Sequence, residues 1–408
     1  MTHIAKGSAT YRRTLLAMLL GSIVTFAVLY SPQTLLGQFS EEFGVSPSSA
    51  SLVISVSTIS LAVCMMFISA FSNAWGRKNI MVASLFATSA LAILSSFVHS
   101  FQLLLALRLL LGISLSGFPA VAMTYLNEEI APDSIGKAMG VYVGGTAIGG
   151  FVGRVIVSLL TDAFDWHAGL LTLGAFSLIC SALFWLYLPQ SRRFRPSGIS
   201  LRIWAGGLKA GLADKRLLPL YAAGFLLLGG YVTLFNYIGY LLAKPPYGLS
   251  QSVIGCLFVF QLVGSWSSFF FGRMADRYSR AGLIAAGVVL SLLGAGLTLA
   301  GSLTLTIAGI VLFAFGFFAG HTVASGWVGK TAAPPYKAYA SSLYLLFYYL
   351  GSSVLGTAGG SFLSAYGWPG VVGMIGVLLV LVAILAAALA GRRSSALRHA
   401  PAGRRQPR

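Results

Sequence analysis

Twelve apolar runs, each near or above the length of a membrane crossing, decide what this chain can fold into. They fall at about 14–38, 50–71, 79–98, 101–126, 137–160, 168–188, 217–242, 252–272, 282–301, 303–327, 338–363 and 369–390. About 20 such residues cross about 30 Å of hydrocarbon as a helix. Lipid offers the backbone no hydrogen-bond partner, so helix is the form they must take. Glycine and proline inside the runs, Pro32 and Pro119 among them, do not argue against helix in this setting. Composition agrees, with 57% of the 408 residues hydrophobic and 9% charged, where a soluble domain carries roughly 25% charged. The expectation is an all-α integral membrane protein. The first run is too long for a cleavable signal and lacks a small-residue cleavage site.

The net charge of +18 acquires meaning once the charges are placed. Twelve crossings put both termini on one side. All but three of the 27 Lys and Arg fall there: Lys244 lies opposite, and Arg108 and Arg154 sit inside runs. By the positive-inside rule the termini are cytoplasmic and the protein is a multi-pass inner-membrane one. The basicity is a topology signal and not a nucleic-acid footprint. The chain divides into a lead (1–13), a first six-helix bundle (14–188), a basic linker (189–216), a second bundle (217–390) and a tail (391–408) expected to be disordered. In the linker, Leu201, Trp204, Leu208 and Leu212 recur at helical spacing, so it is either an amphipathic helix on the inner leaflet or a disordered basic connection. Cys64, Cys180 and Cys256 stand singly in apolar runs, without metal or redox spacing, and are expected to be buried.

The two bundles repeat. Tyr142, Gly149 and Trp166 recur as Tyr344, Gly351 and Trp368, each 202 residues later, and Gly44-Val-Ser46 recurs as Gly248-Leu-Ser250. Between the second and third runs of each half lies a charged turn: Gly272-Arg-Met-Ala-Asp276-Arg277-Tyr-Ser-Arg280, and a worn copy over 69–78 that ends in Gly76-Arg77-Lys78. Position and pattern resemble the loop signature G-x-L-a-D-R-x-G-R-K of the major facilitator superfamily. The worn copy departs from it, with Asn73 for the acid and Ala74 for the arginine. The resemblance implies two pseudo-symmetric six-helix bundles, a cavity between them lined by the first, fourth, seventh and tenth helices, and a gating role for both loops. Physically, Gly272 would let the eighth helix end tightly. Asp276 would accept from N–H groups at a neighbouring helix N-terminus, and Arg277 and Arg280 would sit at the anionic leaflet.

Charges inside the runs are the candidates for chemistry. A buried charge there costs roughly 2.5–3.5 kcal/mol on insertion scales, so it is expected to face a polar cavity. Arg108 resembles the superfamily's fourth-helix arginine signature, with Leu111 in place of glutamine. Arg154 follows Gly145-Thr-Ala-Ile-Gly149-Gly150, which is similar to the antiporter signature G-P-x-x-G-G, with Thr146 in place of proline. The Gly-Gly-x-x-Gly-Arg ending, with His321, resembles the bacterial drug and arabinose efflux branch. Arg154 is read as a cavity residue or as a contact between halves. His321 changes charge near neutral pH and is either the proton carrier or a packed neutral imidazole. With no carboxylate plainly at mid-membrane, Asp162 and Asp276 are the other candidates for proton coupling. Gln33, Asn236, Gln261, Tyr344 and Tyr348 complete the expected cavity set.

Other functions find no support. Gly329-Lys330-Thr331 resembles the end of a phosphate loop, but Ala324 stands where the loop needs glycine and no strand precedes it. Neither nucleotide binding nor any cofactor or metal is expected, and no convergent nucleophile–base set points to an enzyme. The reading is a monomeric secondary transporter whose partners are a small sugar-like or drug-like solute, protons and the bilayer. Export is the favoured direction, with uptake open to the same fold.

Overall fold

In a computed structural model of the protein, residues 3–191 and 201–398 are described. Side chains are described for all of these except 69, 70, 73, 74, 201, 203 and 391–398. Among the described residues eleven helices are long and apolar enough to cross a membrane: Ala9–Glu42, Pro47–Ile68, Arg77–Ser95, Phe101–Glu129, Ile135–Ala163, Trp166–Tyr187, Leu218–Leu242, Gln251–Met274, Arg280–Leu297, Leu303–Thr331 and Pro334–Ala390. The last contains two spans. Gly367, at φ 63° and ψ −159°, breaks it just before Pro369, and that positive φ suits glycine alone. The result is twelve spans, here called first to twelfth, with the eleventh at 337–366 and the twelfth from 368. The final helix continues to Arg398, into the tail expected to be disordered. The stretches 192–200 and 399–408 lie outside the described residues.

The repeated Gly-x-Ser motifs are helix starts. Gly44 and Gly248 adopt φ +60° and +55°. Ser46 and Ser250 then accept from the N–H of Ser49 and Val253, so the second and eighth helices begin on matched caps. One buried apolar cluster fills the second bundle and two fill the first. Large apolar side chains such as Phe97, Trp185, Leu186 and Val377 are exposed around the outside, as a lipid-facing surface requires. Cys256 shares that surface and is exposed, contrary to expectation, whereas Cys180 is buried.

Three spans are interrupted. The first gives way to a 3-10 segment at Ser31–Leu35 and the eighth at Phe258–Leu262. The fourth breaks at Ser116, three residues before Pro119. Pro32, expected to sit quietly within a helix, is the reason for the first break. It has no N–H to give to Val28 four residues back.

The two halves meet along two seams related by the repeat. In one, the second helix meets the eleventh. Ser48 Oγ donates to Thr357 O at 2.8 Å, Ser55 and Thr357 share a hydroxyl contact at 2.8 Å, and Thr58 and Ser353 share another at 2.8 Å. In the other, the fifth helix meets the eighth. Asp162 accepts from Gln251 N at 3.1 Å and from Ser252 N at 2.7 Å, and Gly255 lies against Ser158 so closely that a Cβ would clash at 2.4 Å. These bonds run from mid-bundle to the end away from the termini, so that end is closed.

The linker forms a helix at Leu201–Ala213. Trp204 Nε1 donates to Met66 O at 3.2 Å, while Gly207 and Gly211 pack on Tyr339 and Leu343 of the eleventh span. The helix therefore touches both halves.

Candidate substrate site

A cavity of about 290 Å³ lies between the halves at mid-bundle. The first and fifth helices contribute Phe26, Tyr30, Gln33, Thr146, Gly150 and Arg154. The seventh, eighth, tenth and eleventh contribute Leu228, Tyr231, Gln261, Phe317, Phe318 and Tyr348. Its walls are aromatic and aliphatic, set with the polar side chains of Gln33, Thr146, Arg154, Gln261, Ser265 and Ser268. Among the described residues no carboxylate lines it.

Arg154 is its centre. The side chain is only 3% exposed. Nε donates to Gln33 Oε1 at 3.0 Å, Nη2 donates to the same oxygen, and Nη1 donates to Gly150 O at 2.7 Å and Gln261 Oε1 at 3.3 Å. The guanidinium carbon lies 5.0 Å from the Tyr30 ring centroid and 4.6 Å from that of Phe258, a cation–π sandwich. Gln33 Nε2 in turn donates to Asn236 Oδ1 at 2.7 Å. Gln33 and Asn236 are 203 residues apart, so they are repeat-related partners that meet across the boundary. The 3-10 breaks of the first and eighth helices both serve this cluster: Gln33 sits on one and Gln261 on the other.

Arg154 reaches its place because the fifth helix lies directly on the first. A Cβ on Gly149 or Gly153 would come within 2.6 Å of Ile23 O or 2.4 Å of Ala27 O. The small-residue stripe read from the sequence is thus a helix-contact surface.

A second chamber, of about 280 Å³, lies toward the closed end and is lined by Gln33, Glu41, Asp162, Asn236, Tyr240 and Lys244 among others. Gln33 borders both chambers, and the Gln33–Asn236 bond is part of the partition. Tyr240 Oη reinforces it by donating to Leu36 O at 2.7 Å.

The structure brings Arg154, Gln33, Asn236, Gln261 and Tyr348 together. It does not bring Arg108 there. That side chain is buried among the first, second and fourth helices and donates to Val53 O at 2.8 Å, Val28 O at 3.2 Å and Leu29 O at 2.9 Å. Val28 is the carbonyl that Pro32 leaves without its helical partner, so Arg108 braces the broken first helix from behind. The charge is satisfied by backbone oxygens and not by a polar cavity. His321 and Tyr344 stand one layer behind the lining. His321 Nδ1 and Tyr344 Oη are 3.0 Å apart, and the imidazole lies 4.5 Å from the Tyr348 ring. Sequence reasoning missed Tyr231, Phe258, Phe317 and Phe318, whose aromatic character inside apolar runs matches that of lipid-facing residues.

The two charged loops are bonded within their own halves. Asp276 accepts from Lys330 Nζ at 2.7 Å and not from a helix N-terminus; the Lys330 ammonium holds its carboxyl below the usual range. The eighth helix runs through Gly272 to Met274, and a Cβ there would meet nothing nearer than 3.6 Å, so no tight ending requires that glycine. Arg277 is exposed and Arg280 begins the ninth helix. In the first half, Gly76 at φ +91° does require glycine. There Arg77 pairs with Glu128 at 2.8 Å and Lys78 Nζ donates to Leu188 O. The side chains of Asn73 and Ala74 are not among those described. The carboxylate that does hold a helix N-terminus across the halves is Asp162.

The family model of the Major Facilitator Superfamily matches residues 18–265 and 220–408. The chain belongs to the major facilitator superfamily. Within it, the chain is 46% identical over 390 residues to the MFS-type transporter YybF of Bacillus subtilis (strain 168), covering 96% of each. It is 43% identical over 382 residues to the inner membrane transport protein YnfM of Escherichia coli (strain K12), covering 94% of this chain and 91% of YnfM. A bacterial homologue of the human lysosomal transporter Spinster, solved in an inward-facing and unoccupied conformation, superposes with a TM-score of 0.79 at 17% identity, covering 97% of this chain and all of that one; this is a likeness of fold. This superfamily member is a multi-pass inner-membrane transporter.

Proposed function

We propose that the protein exports a small organic solute, sugar-like or drug-like, in exchange for protons, by alternating access. The observation that carries this reading is the mid-bundle cavity walled by both halves, with two seams closing the end away from the termini. Rocking about the cavity would break the two seams and expose the same groups to the other side. Export is supported by the likeness of Gly145–Gly150 to the antiporter signature. The charge distribution supports cytoplasmic termini, which makes the tied end the periplasmic one. A reporter active only in the cytoplasm is then expected to work when fused after Ser197 and to be silent after Tyr247.

His321 is the group proposed to carry the proton. It is one residue layer from the cavity, through Tyr348, and an imidazole ring can take up and release a proton. Reconstituted His321→Gln protein is expected to fold and bind substrate but to lose substrate accumulation driven by an imposed pH difference, while exchange without a gradient continues. Accumulation at the wild-type level would end the role of His321.

A further inference from the structure

The hydrogen bonds around Arg154 have a direction, and the direction specifies a ligand. A guanidinium has only donors, so each amide that meets it must present oxygen. Gln33 and Gln261 both do so. Their nitrogens are thereby turned away. Gln33 Nε2 finds Asn236 Oδ1, which turns the Asn236 amide nitrogen outward in its turn. At the two ends of this relay Asn236 Nδ2 and Gln261 Nε2 are buried and have no partner in the protein. Asn236 is 1% exposed. Among the described residues the site thus holds one positive charge with no counter-ion, met by amide oxygens, a carbonyl and two aromatic rings, together with unused donors.

We propose that the central cavity takes a small aromatic or otherwise apolar monocarboxylate, whose carboxylate displaces the Gln33 oxygen from Arg154 and accepts from Gln261 Nε2, so that loading unties Gln33 from Asn236 and frees the closed end to open. This rests on the transporter reading and names the substrate class of its site. A carboxylate matches the planar two-pronged face of the guanidinium. It also matches it in charge: a phosphate monoester carries about −1.5 to −2 at neutral pH, and the lining offers one cation. Tyr231, Phe317 and Phe318 supply the surface for the apolar body. The coupling follows from Gln33 bordering both chambers. An anion on Arg154 takes away the partner that fixes the Gln33 amide orientation, and with it the bond to the second bundle.

The test uses purified full-length protein. Thermal stabilisation and equilibrium binding are measured with benzoate, cinnamate and 1-naphthoate, with the corresponding neutral amides, and with phenyl phosphate. Carboxylates are expected to bind at least about tenfold tighter than their amides, the worth of one hydrogen bond to a charged group, and tighter than phenyl phosphate. Arg154→Ala should remove the preference. Arg154→Lys, which keeps the charge, should retain part of it and guards against a folding defect in the alanine variant. Gln33→Leu is the decisive variant: with no amide to displace, it should bind carboxylates as tightly as wild type or tighter. If Gln33 instead serves as a ligand, binding weakens. In a background with Cys64, Cys180 and Cys256 replaced, spin labels at Glu41→Cys and Lys244→Cys report the separation of the halves at the closed end. That separation should lengthen with 1-naphthoate, and in Gln33→Leu should be long already. Equal binding of acids and amides overturns the ligand class. Carboxylate binding with no change in separation overturns the displacement. Carboxylate binding and opening without flux in proteoliposomes leave the inference standing and overturn the transport reading instead.

Discussion

The two seams occupy equivalent places in the repeat and are built from different chemistry. Where the second helix meets the eleventh, the contacts are neutral hydroxyls: Ser48, Ser55, Thr58, Ser353 and Thr357. Each can exchange its partner for water at little net cost, since an ordinary hydrogen bond contributes about 0.5–1.5 kcal/mol. Where the fifth helix meets the eighth, a carboxylate holds two backbone N–H groups, and Arg154 sits deeper on the same helix. The residue 202 positions after Arg154 is Gly356, and 202 after Asp162 is Ser364. A symmetric scaffold thus carries its charges on one side only. On the proposed reading, one seam is a hinge of interchangeable contacts and the other is the one placed to sense what is bound.

The largest effect that tests this contrast is on Arg154. Arg154→Ala is expected to lower flux by about 100-fold, as for a buried charge removed from its partners, with Arg154→Lys retaining a little. The seam of hydroxyls should show nothing comparable: Ser55→Ala with Thr58→Val should change flux less than threefold, about the effect of one ordinary hydrogen bond. Equal losses in the two would erase the distinction.

Next come the glycines that let the seams close. Gly360 faces the backbone of Ser48, where a Cβ would lie 2.4 Å from the nitrogen, while Gly255 faces the Ser158 side chain at the same distance. Neither contact is relieved by rotation: backbone is fixed, and at Ser158 it is Cβ as well as Oγ that lies 2.4 Å away. Gly360→Ala and Gly255→Ala should therefore both hold the far end open, read as a longer Glu41–Lys244 label distance. An unchanged distance in one of them would mean that its seam is the softer one.

What was legible in the sequence follows from the same physics. Twelve spans could be counted because lipid leaves an apolar run no alternative to helix. The two buried arginines were found by the cost of a charge in hydrocarbon, but that argument is blind to how the cost is met. Arg154 meets it at the cavity. Arg108 meets it on the carbonyls of a helix broken by Pro32, a relation between residues 76 positions apart in the chain that only folding reveals. Pro32 was the visible sign of that break and was read as tolerated. Tyr231, Phe317 and Phe318 were invisible for a different reason: an aromatic ring in an apolar run looks alike whether it meets lipid or ligand.

A smaller effect belongs to Asp162. Asp162→Asn keeps an acceptor for one N–H of the eighth helix and loses the charge that favours a helix N-terminus, worth about 0.3–1 kcal/mol at an exposed site. The label distance should broaden toward longer values. An unchanged distribution would show that the glycine contacts alone close this seam.

The smallest is at Asp276, whose bond to Lys330 lies within one half. Its carboxyl is held below the usual range by that lysine. A carboxyl with a depressed folded value stabilises the protein above its unfolded value and ceases to as the pH falls through the folded one. Wild type should therefore be slightly more stable than Asp276→Asn at neutral pH, and the difference should vanish in acid. The Glu41–Lys244 distance should be the same in both. A change in that distance would mean that this loop reaches the seams after all.

The linker helix has a consequence for how the molecule is put together. Its indole is hooked on the Met66 carbonyl of the first bundle, while its glycines lie on the eleventh span of the second. The docking piece therefore travels with the second bundle, downstream of residues 192–200. A polypeptide severed within that stretch would still present Trp204 to its counterpart. Two separately synthesised halves would carry, in the sequence itself, the handle by which one finds the other.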